Sequence, residues 1–309
     1  MTFLVELARS AYPPKALKRL ATVPDFNLDN ALAMMWMAQL AYETADEKKI
    51  EGILDSWDLT KRAFASNDPI TGFPPHSACL VVAGGLGATI VAFSGTDPLK
   101  IEDWITDFTP QRTVSDLHMG FEGAVATVWP RIKDAIETRP VGEEKLFFTG
   151  HSLGGALATI AAARAVRELK IVATAVYTFG GPRVGGADFF AEYMPKLGGL
   201  THRLVHGGDI VATVPPIGGG FLHVGESIHC PSDGTFDSAE MTRNPATDNK
   251  PDFLESILAD GLADFRAFAA LRLLRSMGPR PLDRLGALLP RMVRDHVPSN
   301  YFRALGVTL

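Results

Sequence analysis

The sequence predicts an α/β fold, with a mostly parallel central sheet and helices on both faces, and three observations carry it. Short apolar runs alternate with helical segments along residues 78–205. Two β-branched runs flank Gly84-Gly85-Leu86-Gly87, which reads as an antiparallel hairpin at one edge of the sheet. The apolar run Lys145-Leu146-Phe147-Phe148-Thr149 leads through Gly150-His151-Ser152-Leu153-Gly154-Gly155 into the small-residue segment Ala156-Leu157-Ala158-Thr159-Ile160-Ala161-Ala162-Ala163.

Taken in order, residues 27–45 suggest a helix capped by Asn27 or Asp29, with Leu28, Leu32, Met35, Trp36, Leu40 and Ala41 near helical spacing. Its methionines Met34, Met35 and Met37 read as core filling, with adaptive contact to varied ligands as the alternative. The hairpin arms are Ala78–Val82 and Ala88–Phe93, followed by a helix over Gly123–Glu137 and the strand ending at Thr149. Ile171–Tyr177 and Thr201–Val205 read as further strands, with a helix near Ala187–Met194 between them. From Pro251 the pattern is helical, and arginines gather between 266 and 294, either as a solvated face or as a lipid-surface contact. The expected organisation is a single domain over 1–309, with an N-terminal helical region at 1–60 and a helical subregion at about 250–295.

The chain has 309 residues, 46% hydrophobic and 21% charged, enough to bury a large core. A net charge of −5 supplies no basic field for phosphates, so no nucleic-acid partner is expected, and no protein partner is inferred. Cys79 and Cys230 are the only cysteines and support neither a disulfide framework nor a zinc site; no metal or cofactor is expected. No secretory signal or apolar run of roughly 18 residues appears, which makes a cytoplasmic location the default, with secretion open if a signal was removed.

Gly-x-Ser-x-Gly alone is weak, since roughly one chain in ten of this length would hold it by chance. Its setting between a strand and a helix is what makes Ser152 a candidate nucleophile. The glycines leave room where strand and helix approach closely, and the helix N-terminus, with the Leu153 amide, favours a developing oxyanion. The alternative is an ordinary N-cap serine in a glycine-rich turn.

A serine hydroxyl needs a histidine to take its proton and a carboxylate to orient that ring. His296, in Asp295-His296-Val297-Pro298, is the strongest of the later histidines, with His223 and His229 as rivals; His151 cannot easily fold back onto its neighbour's hydroxyl. Asp209 lies just beyond the strand ending at Val205, with Asp188, Asp233 and Asp237 as rivals.

The chain resembles the class 3 lipases, the fungal-lipase-like branch of the α/β-hydrolase fold. The likeness rests on Val91-Ala92-Phe93-Ser94-Gly95-Thr96, Asp103-Trp104-Ile105-Thr106-Asp107, His118-Met119-Gly120-Phe121 and the serine hexapeptide. It continues through Tyr177-Thr178-Phe179-Gly180-Gly181-Pro182-Arg183-Val184-Gly185, Asp209-Ile210-Val211 and the Asp295-His296 segment with Tyr301 downstream. The resemblance implies Ser152 as nucleophile, Asp209 as acid and His296 as base, with Thr96 and Leu153 as oxyanion donors; the helical pattern from Pro251 then reads as an insertion before the histidine, in a stretch from Asp209 to His296 that is long. Ser94, Gly186 and Gly208 depart from the residues usual in the family.

Asp97-Pro98 opens a segment in which Leu99, Ile101, Trp104, Ile105 and Phe108 supply the apolar side, either a lid over the cleft or a permanently packed surface helix. The function expected is a carboxylic ester hydrolase, foremost a triacylglycerol lipase, working at a lipid–water interface on a lipid or other ester. Phospholipase and short-chain or feruloyl esterase are alternatives within the chemistry, and a catalytically silent lipid-binding protein is the alternative outside it. Because the base must be neutral and free histidine titrates near about pH 6.5, activity is expected to fall in acid.

Overall fold

Hydrophobic alternation along the central strands organises the molecule. Val81, Ala83, Ile90, Phe147 and Tyr177 face one buried cluster, and their neighbours Leu80, Val82, Val91, Phe148 and Val176 face another. This period of two puts a core on each side of one sheet, and each core must be covered by helices. The computed structural model describes residues 6–43, 46–66, 79–95, 111–215, 219–244 and 291–309.

The strands are β1 (Thr60–Ala65), β2 (Leu80–Gly85), β3 (Ala88–Phe93), β4 (Lys145–His151), β5 (Ala175–Phe179), β6 (Thr201–His206), β7 (Glu226–Cys230) and β8 (Thr242–Asn244). They lie side by side in sequence order. Pairing is parallel from β3 to β7 and antiparallel for β1–β2, β2–β3 and β7–β8. The sequence suggests antiparallel pairing at one edge only; the short β8 adds it at the other. Leu86 and Gly87, both at positive φ, make the tight turn between β2 and β3.

The helices are α1 (Leu28–Leu40), α2 (Glu47–Ser56), α3 (Met119–Glu137), α4 (Leu153–Arg164), α5 (Ala187–Leu197), α6 (Arg291–His296) and α7 (Pro298–Ala304). The Asn27 side chain caps α1 by accepting from Asn30 N, as its residue type suggests. Met34, Met35 and Met37 are wholly buried in the core, packed with residues of α2 and α7. That placement favours core filling over adaptive ligand contact.

On the opposite face lie α3, α4 and α5. The first of these starts four residues before the expected boundary because His118 acts as its N-cap, accepting from Phe121 N at 3.4 Å. Along α4 every residue from Gly154 to Ala163 is buried, and its glycines and alanines let the backbone sit close to β4 and β5. The five parallel strands, β3 to β7, run their carboxyl ends toward one rim, where loops of an open α/β sheet carry its chemistry.

Candidate active site

At that rim β4 turns directly into α4 through Ser152, whose backbone sits at φ 58° and ψ −132°. A non-glycine residue there stores strain of about 1–3 kcal/mol, which only a firmly held surrounding sustains. The hold is visible: Ser152 N donates to Phe179 O at 2.9 Å, pinning the turn to the end of β5. A Cβ at Gly150 would run into the Gly154 backbone, and one at Gly154 into the carbonyl of Phe93. The Ser152 side chain makes no capping hydrogen bond, so it does not serve as an ordinary N-cap. Leu153 follows as the first helical residue, where amides have no intrahelical partner.

Beyond β6, Asp209 is buried and faces His296, the last residue of α6. His296 Nδ1 lies 2.8 Å from both Asp209 Oδ1 and Oδ2. Because a carboxylate can only accept, Nδ1 carries the ring hydrogen and Nε2 presents its lone pair. That Nε2 is buried and has no hydrogen-bond partner among the described residues. Tyr301 of α7 donates to Asp209 Oδ2 at 2.6 Å, and Val211 N donates to Oδ1 at 2.9 Å. Burial works against the Asp209 charge, but the His296 ring, the hydrogen bond to it and the Tyr301 hydroxyl outweigh it and hold the carboxyl below its ordinary value.

The rival histidines are engaged elsewhere. His223 Nε2 lies 2.7 Å from Ala212 O, His229 Nε2 lies 2.9 Å from Gly207 O, and His202 Nε2 lies 2.9 Å from Pro24 O. His206 spans Asp295 O and Ser232 O. Of the rival acids, Asp237 accepts from Thr235 Oγ1, and the Asp188 amide donates to Asp116 Oδ2. The structure therefore brings Asp209 and His296 together and leaves these others apart from the pair.

Some neighbours of the pair carry no local sequence signal. Gly180, at φ +57°, passes so close that a Cβ would meet Asp209 Oδ2, the Tyr301 hydroxyl and His296 Nδ1. Asp295 accepts from Gly208 N at 2.8 Å and from Ser232 Oγ at 2.6 Å, joining the residue before His296 to the residue before Asp209. Arg183 Nη1 donates to Pro215 O at 2.8 Å and also to Thr213 O, tying the loop after β5 to the loop after β6. The departure at Gly186 has a local reason too, since a Cβ there would strike Arg112 and the Asp116 carboxylate. Gly180 and Gly186 stand in a glycine-rich stretch after a strand, which is the one cue the sequence offers.

Thr96 and the lid candidates Leu99, Ile101, Trp104, Ile105 and Phe108 lie outside the described residues, as do residues 250–290 of the expected helical subregion. What is described leads to their doorstep: a Cβ at Gly95 would meet the Tyr42 hydroxyl, the His151 carbonyl and Ser152 Cβ. Residue 95 therefore packs directly on the nucleophile turn.

Residues 90–219 match the family model for lipase (class 3). Over these residues, fewer than half of the chain, the protein is similar to the class 3 lipases. Among similar proteins, the secreted mono- and diacylglycerol lipase 1 of Fusarium solani is 38% identical over 133 residues, covering 40% of this chain and 39% of that protein. Phospholipase A1-Igamma1, chloroplastic, of Arabidopsis thaliana is 42% identical over 82 residues, 24% of this chain and 16% of that one. The match thus spans well under half the length of either relative. The crystal structure of the lipase from Rhizopus microsporus var. chinensis superposes with a TM-score of 0.55 at 23% identity, covering 71% of this chain and 77% of that chain. That likeness establishes the α/β-hydrolase fold. No helix among the described residues is long and apolar enough to cross a membrane.

Proposed function

We propose that this protein is a lipase of the class 3 type, which hydrolyses carboxylic esters of glycerolipids through an acyl-enzyme on Ser152. The observation that carries the reading is the Asp209–His296 pair, with its Nε2 lone pair free, on the same rim as a serine held in a strained turn. His296 Nε2 takes the Ser152 Oγ proton as Oγ attacks the ester carbonyl. The tetrahedral oxyanion is held by the Leu153 amide and by Thr96. Collapse expels the alcohol, which receives the proton from His296. Water then gives its proton to the same nitrogen, attacks the acyl carbonyl, and releases the carboxylic acid and the serine. Asp209 keeps Nδ1 protonated and stabilises the charged ring throughout.

Within glycerolipids, triacylglycerol is the first substrate we assign, and the Fusarium relative's name favours partial glycerides beside it. The Arabidopsis relative's name supports a phospholipid as the second reading. A secreted setting, in which the enzyme meets a lipid–water interface, rests on the Fusarium name and replaces the cytoplasmic default. The test is release of fatty acid from emulsified triolein, monoolein and phosphatidylcholine, with a short-chain p-nitrophenyl ester alongside and Ser152→Ala as control. Turnover on at least one glyceride that disappears in folded Ser152→Ala is expected. A chain that binds these lipids without turning any of them over would make it a catalytically silent binder.

A further inference from the structure

Beside the Asp209–His296 pair lies a second buried imidazole that the mechanism above does not use. His151, the residue before the nucleophile, is fully buried, and its ring centroid lies 4.6 Å from that of His296. Its Nε2 is 2.7 Å from the backbone carbonyl oxygen of His296. A carbonyl only accepts, so Nε2 carries the hydrogen and Nδ1 must accept. The group facing Nδ1 is the Tyr42 hydroxyl, at 2.8 Å. The phenol thus donates to Nδ1, so both nitrogens of the His151 ring are held and the ring is fixed against the His296 carbonyl. Burial, and then the nearby His296 ring, push the His151 pKa down to about 3, so the ring stays neutral whenever the enzyme is folded near neutral pH.

This arrangement has a consequence for the base. His296 is the last residue of α6, followed at once by Val297 and Pro298, and the end of a helix does not hold a ring by itself. Its ring is steered at Nδ1 by Asp209, and its backbone is anchored by His151. Tyr42 also sits against Gly95, the residue before Thr96. One hydroxyl, two residues past the end of α1, therefore touches the approach to the oxyanion loop and the elbow at once.

We propose that Tyr42 and His151 are positioning residues for the reaction: a Tyr42 hydroxyl to His151 to His296 carbonyl relay that sets the height of the base against Ser152. The inference rests on His296 being the base, as assigned above. Without the phenol, Nδ1 loses its donor and the buried His151 ring is held through Nε2 alone, so it can tilt and carry the His296 carbonyl with it. The base then moves by a fraction of an ångström, with no loss of substrate contacts.

The experiment compares Tyr42→Phe, His151→Leu and His151→Gln with the wild type on one soluble ester. The amide of Gln can still donate where Nε2 does. Tyr42→Phe and His151→Leu are expected to lower kcat by about ten- to hundredfold with KM little changed, as misplacement of a reacting group does. His151→Gln is expected to regain a clear part of what His151→Leu loses. In a double-mutant cycle, Tyr42→Phe is expected to cost less in the His151→Gln background than in the wild type, because the imidazole Nδ1 that the phenol holds is gone. Thermal melts accompany each variant, and the comparison is made where all remain folded. Wild-type kcat in Tyr42→Phe overturns the relay. So do losses that follow the melting temperatures with no recovery by Gln. Ser152→Ala run in parallel separates the two failures: if it is dead while Tyr42→Phe is fully active, only this inference falls, and if it is active, the assignment of the nucleophile falls first.

Discussion

The Tyr301 phenol donates to Asp209 Oδ2 at 2.6 Å from the helix that immediately follows His296, so the proposed acid is oriented from the same short stretch of chain that supplies the proposed base. A hydrogen bond to a buried charge is worth about 1.5–3 kcal/mol. Tyr301→Phe is therefore expected to lower kcat/KM by about ten- to hundredfold, and it leaves the Asp209–His296 contact in place. Asp209→Asn is expected to cost far more, about ten-thousand-fold, because an amide offers its own hydrogens to Nδ1 and selects the wrong tautomer. Steady-state kinetics on a soluble ester checks both, and an Asp209→Asn enzyme with a tenth of normal activity would place the acid elsewhere.

The strained serine makes an opposite prediction for stability. Ser152→Gly relieves a backbone cost of about 1–3 kcal/mol, against an added chain entropy of about 0.5–1 kcal/mol. The net expectation is a fold more stable by about 1 kcal/mol with no ester turnover, read from urea unfolding and an activity assay. A destabilised glycine variant would mean that the turn is not under strain.

How much of this was legible beforehand follows from the range of each interaction. The elbow is local: strand, six residues and helix are contiguous, so Ser152 and Leu153 could be read directly. The central strands were legible through their apolar runs, whereas β1 (Thr60–Ala65) opens with Thr60, Lys61 and Arg62, β7 carries Glu226 and His229, and β8 has three residues. Strands at a sheet edge, as β1 and β8 are, or beside one, as β7 is, take their register from a neighbour and carry polar residues, so pattern alone does not mark them. Helix α2 buries only Ile50, Ile53 and Leu54 among charged residues, too thin a stripe to stand out. In the site, residues alone left His296 and Asp209 among rivals, and the family resemblance chose them. The contacts of Tyr42 with His151, and of Asp295 with Gly208, join positions 109 and 87 residues apart. No spacing rule reaches that far.

Gly180 turns a close approach into a test. Alanine there must hold φ near +57°, costing about 1 kcal/mol, and its methyl would press on the Asp209 carboxylate. The expected result for Gly180→Ala is a lower melting temperature with kcat reduced by at least about a hundredfold, since the acid and its ring are displaced together. Circular dichroism melts and kinetics read it, and an alanine variant with normal kcat would contradict the packing described around the pair.

Acid should weaken the fold before any carboxylate is involved. His151, His202, His206 and His223 all have pKa values pushed below the ordinary histidine value, foremost by burial. Above about pH 6.5 such a ring is neutral in both folded and unfolded chains and contributes no slope. Below it the unfolded chain binds protons that the folded chain refuses, so stability falls as pH falls, and for His151 the fall continues down to its folded value of about 3. Between about pH 7.5 and pH 5 this ring alone should cost about 2 kcal/mol, and the other three add in the same direction. Asp209 has the opposite charge but the same sign of slope: its depressed value stabilises the fold above the ordinary aspartate value of 3.8 and that contribution is lost only below it. Urea unfolding at about pH 7.5 and pH 5 therefore isolates the histidines. The measured loss should shrink by about 2 kcal/mol in His151→Gln, which has no proton to bind. A stability that stays level across that interval would mean these rings are open to water and titrate normally.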